Sequence, residues 1–403
     1  SSFIPFTLRE AFGLPSVNHQ ESIYAYHFFR LLQRAENVTF VYNSNSEGLR
    51  SGEMSRFLMQ MKYEDSLKPD FMDLNFEIKS NFAPGERLER REEHSKQLVS
   101  LFQDKNNGRT LSPSAINTWL CCRMKFFYRY INRLKEPDNI STDIDPAMLG
   151  NILHELMKNL YQDYIGSILT VEKLGSMINS KNFLAEIINK AVNEKYKDGR
   201  NDPVSGNELI VRDVLMAYLI RILNTDRALA PFSILNLEDS FSFVLSIISD
   251  GVRAEIITGG KIDRIDAING LRRIVDYKTG TVSEFVNSIG DLFIDDRKKD
   301  ADGWLQTLLY CEAYRIAYPG SLIRPSVYKI KKLYGPLSND KLKLKSSSRN
   351  EIEIDNYETV REEFLSGLKT LITTIFCESE AFVKTTDIRG KCSYCPYSIL
   401  CMR

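Results

Sequence analysis

GGKIDRIDAINGLRRIVDYKTG, residues 259–280, contains two strand-length runs that are rich in isoleucine, valine and tyrosine. The runs, residues 262–268 and 271–278, are separated by Asn269-Gly270. An Asn-Gly pair between such runs is the strongest short signal for a two-residue hairpin turn. The stretch therefore predicts a tight β-hairpin.

This hairpin brings two acids together. Its register places Asp263 opposite Asp276, and Lys278 points to the same face as Asp276. The same register predicts two favourable pairs and one unfavourable pair, namely Ile265 with Ile274, Asp266 with Arg273, and Lys261 with Lys278. Two carboxylates about 5 Å apart on neighbouring strands repel each other unless a positive charge lies between them.

A divalent metal ion would remove this repulsion. Mg²⁺ and Mn²⁺ bind carboxylate oxygens, lower the pKa of a bound water and polarise phosphoryl groups. Lys278 beside the ion would orient the attacking water or neutralise developing charge. The alternative is a solvated hairpin with its charges on the wet face, and the hairpin alone leaves both interpretations open.

Size and composition limit the remaining possibilities. The 403 residues suffice for two or three domains, and the equal numbers of basic and acidic residues, 53 each, give no overall basic field for nucleic acid. Phosphate binding must therefore come from local patches. Without a membrane-length apolar run or a signal pattern, we expect a soluble cytoplasmic protein that does not contact membranes. The missing initial methionine predicts a fragment of a longer chain, and the missing G-x4-G-K-[ST] loop excludes a complete nucleotide-driven motor.

The cysteines form a second pattern. The terminal KCSYCPYSILC places Cys392, Cys395 and Cys401 within ten residues, and the fourth ligand of a closed site would be Cys121 or Cys122. Zinc and an iron–sulfur cluster both accept such ligands, and spacing does not separate them. The alternative is a set of buried free thiols. Three cysteines so close together favour a metal or cluster site over this alternative.

The chain is expected to contain a short N-terminal part, a linker and one large α/β unit. Residues 1–80 are a mixed part with a strand-like run at 37–43, and residues 81–109 are a charged exposed helix and linker. Residues 110–403 form the large unit, which begins with a helix capped by Ser112 or Ser114. Within this unit we expect a helical part at 148–230, a sheet core at 235–355, and a last helix with the cysteine tail at 358–403.

Further candidate residues lie outside the hairpin. His154 lies off the centre of the apolar stripe of a predicted helix, where it would complete a metal shell, although a lone helical histidine is more often a surface or core residue. Gln306 and Tyr310 share one helical face and would touch a phosphate, position the lysine or simply pack. Glu238 is a third carboxylate candidate, for which surface charge is the favoured interpretation.

Basic residues gather at 329–349, and Tyr328 and Tyr334 add aromatic side chains to this stretch. Basic and aromatic side chains together suit single-stranded nucleic acid. Alternating lysines also protect edge strands against aggregation, and we slightly favour this second interpretation.

Four of these stretches, LGNILHELM, GGKIDRID, VDYKTG and QTLLY, occur in the order found in a known family. Together with the cysteine tail, they resemble the nuclease module of the RecB-like PD-(D/E)XK superfamily, in the iron–sulfur version of AddB-type helicase–nucleases. The resemblance covers 110–403 and implies a restriction-endonuclease-like α/β (α+β) core, with a mixed central sheet flanked by helices and a large helical insertion. Residues 1–80 resemble the end of a helicase motor domain and would be a remnant of it.

The resemblance also implies roles for individual residues. The metal ligands would be His154, Asp263, Asp276 and the backbone carbonyl of Tyr277, the catalytic lysine would be Lys278, and Gln306 and Tyr310 would support the site. A 4Fe–4S cluster would bind Cys122, Cys392, Cys395 and Cys401, although the family's proline after the first cysteine is Arg123 here, which leaves Cys121 as a rival to Cys122. The cluster would tie the C-terminus to the start of the nuclease domain.

The implied function is metal-dependent hydrolysis of DNA. The expected substrate is a single-stranded end, the expected partner is a helicase subunit, and the expected process is recombination-dependent repair of double-strand breaks. One alternative is a catalytically inactive nuclease-fold module that binds DNA and acts as a scaffold for a helicase. Another is a zinc-stapled structural protein with an incidental acidic hairpin.

Overall fold

The computed structural model describes residues 6–14, 17–42, 54–64, 69–72, 87–103, 109–135, 145–196, 206–295, 297, 299–333, 340–345 and 351–403. The chain divides into two compact units, Ser1–Ser80 and Asn81–Arg403. The described part of the first unit contains three helices, α1 (Phe6–Ala11), α2 (Val17–Leu32) and α3 (Arg56–Tyr63). The strand-like run expected at 37–43 is not a strand over residues 37–42, and Asn43 lies outside the described residues.

The second unit alternates helical and extended segments. Its described helices are α4 (Glu92–Gln103), α5 (Pro113–Cys121), α6 (Arg123–Phe126), α7 (Pro146–Tyr161), α8 (Val171–Asn179), α9 (Lys181–Lys195), α10 (Gly206–Leu229), α11 (Asp302–Ala317), α12 (Glu358–Phe376) and α13 (Ser398–Cys401). Its described strands are β1 (Arg87–Leu88), β2 (Ile168–Leu169), β3 (Phe232–Ser249), β4 (Val252–Ile268), β5 (Leu271–Lys278), β6 (Phe285–Val286), β7 (Ile323–Lys329), β8 (Leu342–Lys345), β9 (Glu351–Ile354) and β10 (Phe382–Val383).

The central sheet has five strands in the order β2-β3-β4-β5-β7. The first three pairings are antiparallel and the β5–β7 pairing is parallel, so the sheet is mixed. One apolar cluster packs α5, α11 and α12 against the sheet, and a second packs α7–α10 against it. The predicted fold class, a mixed central sheet flanked by helices, is confirmed.

The β4–β5 hairpin forms around the predicted turn. Asn269 and Gly270 have φ angles of 48° and 83°, as a tight turn with two left-handed residues requires, and the predicted Ile265–Ile274 and Asp266–Arg273 pairs are present. The ladder ends at Arg264–Val275. Beyond this pair the strands separate and form a fork.

This separation corrects two predicted pairs. Asp263 and Asp276 are not ladder partners, because the Asp263 carboxylate lies at the fork and accepts a hydrogen bond from the Tyr277 N–H at 2.9 Å. The unfavourable Lys261–Lys278 pair is also absent, because the β4–β5 ladder ends at Arg264–Val275 and does not reach these residues.

Two further sequence interpretations change with the structure. Helix α4 buries Leu98, Leu101 and Phe102, so the segment expected to be an exposed helix and linker packs into the core of the second unit. Lys343 of β8 forms an ion pair with Glu351 of β9 at 3.0 Å, and Lys341 pairs with Glu353 at 2.8 Å, so these two lysines have protein partners without nucleic acid. The remainder of the basic run at 334–339 and 346–349, with Tyr334, lies outside the described residues.

Candidate active site

The two acids of the hairpin meet at the fork between β4 and β5. Asp263 is 9% exposed and Asp276 is 1% exposed. Because a buried carboxylate is costly unless it is paired or hydrogen-bonded, the groups around these acids define what the site can hold.

His154 approaches from α7. The helix begins at Asp145, whose carboxylate accepts a hydrogen bond from the Met148 N–H at 2.7 Å, and it buries its apolar face against the sheet. This packing brings His154 Nδ1 to 3.2 Å from Asp263 Oδ2. At Gly150 an added Cβ would lie 3.4 Å from the Thr279 side chain, so α7 runs close to the end of β5.

Lys278 lies on the other side of the acids. Its Nζ lies 3.1 Å from Asp276 Oδ1 and 3.0 Å from Gln306 Oε1. Gln306 of α11 donates from Nε2 to Asp276 Oδ1 at 3.0 Å and to the Tyr310 hydroxyl at 3.2 Å. The structure therefore joins the predicted lysine, acid, glutamine and tyrosine in one hydrogen-bonded group.

Glu238 belongs to the site, although its sequence context favoured a surface charge. Its φ of 52° is left-handed, which takes it out of the β3–β4 ladder between Leu237–Arg264 and Asp239–Ile262. Such a conformation costs a non-glycine residue about 1–3 kcal/mol and recurs at functional sites. Strand alternation along β3 does not signal this exception.

The charges at the fork shift one another's pKa values. Burial raises the pKa of Asp276 to about 6, although Lys278 opposes this effect. Burial also acts on Asp263, but the hydrogen bond and charge of His154 outweigh it and lower the pKa of Asp263. For Lys278 the charges of Asp276 and Asp263 outweigh burial and raise the pKa, so the amine stays cationic at neutral pH.

These residues fit a hard divalent cation. His154, Glu238 and Asp263 each offer a ligand atom, and the three atoms lie within 4.8 Å of one another. Asp276 is not in this group, and its Oδ1 is engaged by Lys278 and Gln306. Its Oδ2 is buried without a well-oriented hydrogen bond from any described residue, although Lys278 Nζ lies 3.0 Å away. An imidazole with carboxylate oxygens is a donor set that suits Mn²⁺ and Mg²⁺.

A buried charge network lies behind the fork, on the α7–α10 face of the sheet. Arg264 donates to both carboxylate oxygens of Asp226 at 2.8 Å, and Arg273 donates to both oxygens of Asp266 at 2.7 Å. All four side chains are fully buried, and their charges sum to zero. Sequence reasoning treated Asp266 and Arg273 only as a favourable pair and missed this network. The signal available was charged residues inside strands that are otherwise apolar.

A hydrogen bond connects this network to the strand that carries Asp276. Arg264 Nη1 donates to the Tyr277 hydroxyl at 2.9 Å, and these residues directly follow Asp263 and Asp276 in the chain. The backbone N–H of Tyr277 also holds Asp263. The network therefore fixes the relative position of the two strands that carry the acids.

The cysteines of the two predicted groups line one small cavity. Cys121, Cys122, Cys392, Cys395 and Cys401 surround it, together with basic side chains that include Lys125 and Lys391. Burial raises the pKa of the Cys401 thiol, and the nearby Cys122, Cys395 and Cys392 add to this effect. The structure thus brings the terminal cysteines to the end of α5, as the sequence predicted.

The model of the PD-(D/E)XK nuclease superfamily matches residues 110–402. The chain belongs to this superfamily, and its sheet and flanking helices are those of the restriction-endonuclease-like fold. No curated protein matches the chain. None of the helices that the structure describes combines the length and apolarity needed to cross a bilayer.

Proposed function

We propose that the chain is a metal-dependent deoxyribonuclease that hydrolyses phosphodiester bonds at single-stranded DNA ends. The observation that carries this proposal is the convergence of His154, Asp263, Asp276 and Lys278 at one fork of the sheet, since these groups come from α7, β4 and β5. Nuclease function follows from family membership, whereas the substrate and the catalytic residues are proposals.

His154, Asp263 and Glu238 would hold the cation, and Asp276 and the Tyr277 carbonyl would be the further ligands that the family resemblance implies. When bound, a divalent cation supplies Lewis-acid activation of the phosphoryl group and lowers the pKa of water. Lys278 is positioned by Gln306 and stays protonated, so it stabilises charge that develops on the phosphate and is unsuited to act as a general base. Tyr310 accepts a hydrogen bond from Gln306 and helps to hold its amide.

The test is degradation of an end-labelled single-stranded oligonucleotide in Mg²⁺ or Mn²⁺. We expect Asp276→Asn to lower the cleavage rate by about 100-fold or more, because it removes a charge that the cation needs. Glu255→Gln is the matched control, since Glu255 is an exposed acid on β4, and it should cleave normally. Full activity of Asp276→Asn would contradict the catalytic assignment.

A circular single strand provides the second arm of the experiment. An enzyme that acts on ends leaves the circle intact and degrades the linear form, whereas an endonuclease cuts both. No cleavage of either substrate, combined with retained DNA binding, would support the alternative of an inactive DNA-binding scaffold. The presence of both acids, the lysine and the histidine argues against that alternative.

His154 has its own test. His154→Ala should weaken Mn²⁺ binding measured by calorimetry, about 10-fold or more, because it removes one ligand and the partner of Asp263. Unchanged affinity would remove His154 from the proposed metal shell.

We infer that a 4Fe–4S cluster binds Cys122, Cys392, Cys395 and Cys401. These four cysteines and Cys121 line one small cavity, and the iron–sulfur version of the family that the cysteine tail resembles supports a cluster rather than zinc. Visible absorbance of anaerobically purified protein tests this inference, and colourless, zinc-loaded protein would overturn it. Loss of the absorbance in Cys122→Ser but not in Cys121→Ser would identify the fourth ligand.

We further propose that the chain is part of an AddB-like helicase–nuclease that acts in double-strand break repair by recombination, with residues 1–80 as the remnant of a motor domain. The order of the four sequence motifs and the cysteine tail support this assignment. Co-purification of the complete protein with a helicase subunit would test it, and a nuclease that purifies alone and needs no helicase for activity would count against it.

A further inference from the structure

Glu238 carries a counter-ion at the solvent side of the fork. The Lys261 ammonium forms an ion pair with Glu238 Oε2. The Lys261 side chain is 57% exposed, whereas that of Glu238 is only 14% exposed. Lys261 also precedes Asp263 by two positions on β4, so both residues start from the same face of the strand.

Each carboxylate of the site contacts one basic side chain. His154 contacts Asp263, Lys278 contacts Asp276, and Lys261 contacts Glu238. Lys278 is held by Gln306 on a buried stem, whereas the stem of Lys261 reaches solvent. Because an exposed lysine ion pair contributes little free energy, Lys261 is the partner that can leave at least cost.

The charge balance favours such a departure. A metal ligand must be deprotonated, so His154 would be neutral when a cation is bound. Three carboxylates and two lysines then leave one net negative charge, and a divalent cation added beside both lysines would reverse the sign of the site. The cation also needs the Glu238 carboxylate, with which Lys261 is paired. Metal and ammonium therefore compete for the same carboxylate.

We propose that Lys261 is an exchangeable counter-ion, which holds Glu238 while no divalent cation is bound and moves into solvent when the cation binds. This inference rests on the metal site proposed above. It makes Lys261 a positioning residue that tunes metal affinity without being a ligand. It also accounts for how a left-handed, largely buried glutamate is kept turned towards the fork before the metal arrives.

The experiment is calorimetric titration of the purified chain with Mn²⁺ at low salt. Lys261→Gln should bind Mn²⁺ roughly fivefold more tightly than the wild type, which corresponds to the loss of one exposed ion pair. Lys96→Gln is the matched control, because Lys96 is an exposed lysine paired with Glu92 on α4 and its replacement changes the net charge equally. The Mn²⁺ affinities of Lys96→Gln and Lys261→Arg should match that of the wild type.

A double-mutant cycle separates competition from a general field effect. In a Glu238→Gln background, Lys261→Gln should give no further gain in affinity, because the shared carboxylate is gone. A gain that persists there, or an unchanged or weakened affinity in Lys261→Gln, would overturn the exchange. If the wild type binds no Mn²⁺, the proposed metal site fails together with the exchange. If the wild type binds Mn²⁺ and Lys261→Gln binds it with the same affinity, only the exchange is overturned.

Discussion

At the residue scale, the site depends on one acid that is buried more deeply than the others. Asp276 is 1% exposed, and burial raises its pKa to about 6. Protons therefore compete with a cation for this carboxylate close to neutral pH, whereas an ordinary aspartate would be fully ionised there.

We expect Mn²⁺ affinity to fall by about tenfold between pH 7 and pH 5, because Asp276 must lose its proton before the cation binds. Calorimetric titration at the two pH values measures this. His154 also has a raised pKa, because the hydrogen bond and charge of Asp263 outweigh burial, and its protonation acts in the same direction. If the Mn²⁺ affinity of His154→Gln still falls between pH 7 and pH 5, the pH dependence belongs to Asp276. If its affinity no longer changes with pH, the dependence belongs to the imidazole.

Lys329 is a second buried charge, beside Lys278 in the β5–β7 ladder. It is 5% exposed, its Nζ has no hydrogen-bond partner among the described residues, and the amine lies 5.5 Å from the centroid of the Trp304 ring. Burial lowers the pKa of Lys329 to about 8. The charged form of this lysine therefore destabilises the fold at neutral pH.

Lys329→Met should raise the free energy of unfolding at pH 7 by about 1–3 kcal/mol, since it removes this desolvation cost. The wild type should become more stable as the pH rises from about 8 towards the unfolded pKa of 10.5, because the folded state prefers the neutral amine, and the variant should lack this rise. Denaturant unfolding at pH 7.5 and 9.5 measures both effects. Lys331→Met, at an exposed neighbour, should change little.

The sequence predicted several individual residues of the site but not all of them. Asp263, Asp276 and Lys278 lie on one predictable hairpin, so local rules bring them together. Glu238 was a third candidate for which a surface charge was favoured, because its place at the fork depends on a left-handed residue within a strand, which alternation cannot anticipate.

At the element scale, the β3–β4 pairing depends on close backbone contact at Gly259. This residue has a φ of 148°, and an added Cβ would lie 2.2 Å from the Phe241 carbonyl oxygen and 2.6 Å from the Ser242 Cα. Because both obstacles are backbone atoms, no side-chain rotation can relieve the clash.

Gly259→Ala should therefore lower the free energy of unfolding by about 2–4 kcal/mol. Gly260→Ala provides a graded comparison, because its Cβ would lie 3.1 Å from the Tyr310 ring, which can shift. We expect that variant to lose little stability but to cleave DNA more slowly, through displacement of Tyr310. Chemical denaturation and the oligonucleotide assay measure the two effects. Equal stability of the two variants would contradict the backbone explanation.

Most elements were predictable because their patterns are local. The helix expected at the start of the segment 358–403 is α12, which spans Glu358–Phe376. The segment at 81–109 was misjudged because its charges dominate its composition, whereas the three large apolar side chains of α4 decide its burial. Tertiary contacts, which a single segment does not reveal, make that difference.

At the scale of the whole molecule, the C-terminal tail is tied back to the start of the nuclease unit. The Tyr397 hydroxyl donates to the Leu134 carbonyl at 2.7 Å, and Cys122 lines the same cavity as the terminal cysteines. A cluster at this position would close a loop of most of the unit, which restricts the unfolded chain.

Cys395→Ser should lower the thermal midpoint by at least about 5 °C, because it would remove one ligand of this connection. Cys377→Ser is the control, since Cys377 does not line the cavity, and it should melt close to the wild type. Differential scanning calorimetry measures the midpoints. An unchanged midpoint in Cys395→Ser would show that the tail is held by its other contacts.

The global architecture was predictable mainly through motif order. The order of strands and the parallel β5–β7 pairing need long-range information that no single stretch carries. The buried network of Arg264, Arg273 and their aspartates is the clearest case, because it joins α10, β4 and β5. Pairwise patterns along the chain do not specify such a network.

The two-residue length of the β4–β5 turn limits how this enzyme can change during evolution. Inserting one residue there would rotate every following side chain of β5 to the opposite face of the sheet, so that Asp276 would exchange places with its neighbour Tyr277. Inserting two residues would restore the faces. We therefore expect the turns of homologous hairpins to differ in length only by even numbers of residues, because an even difference keeps Asp276 on its present face of the sheet.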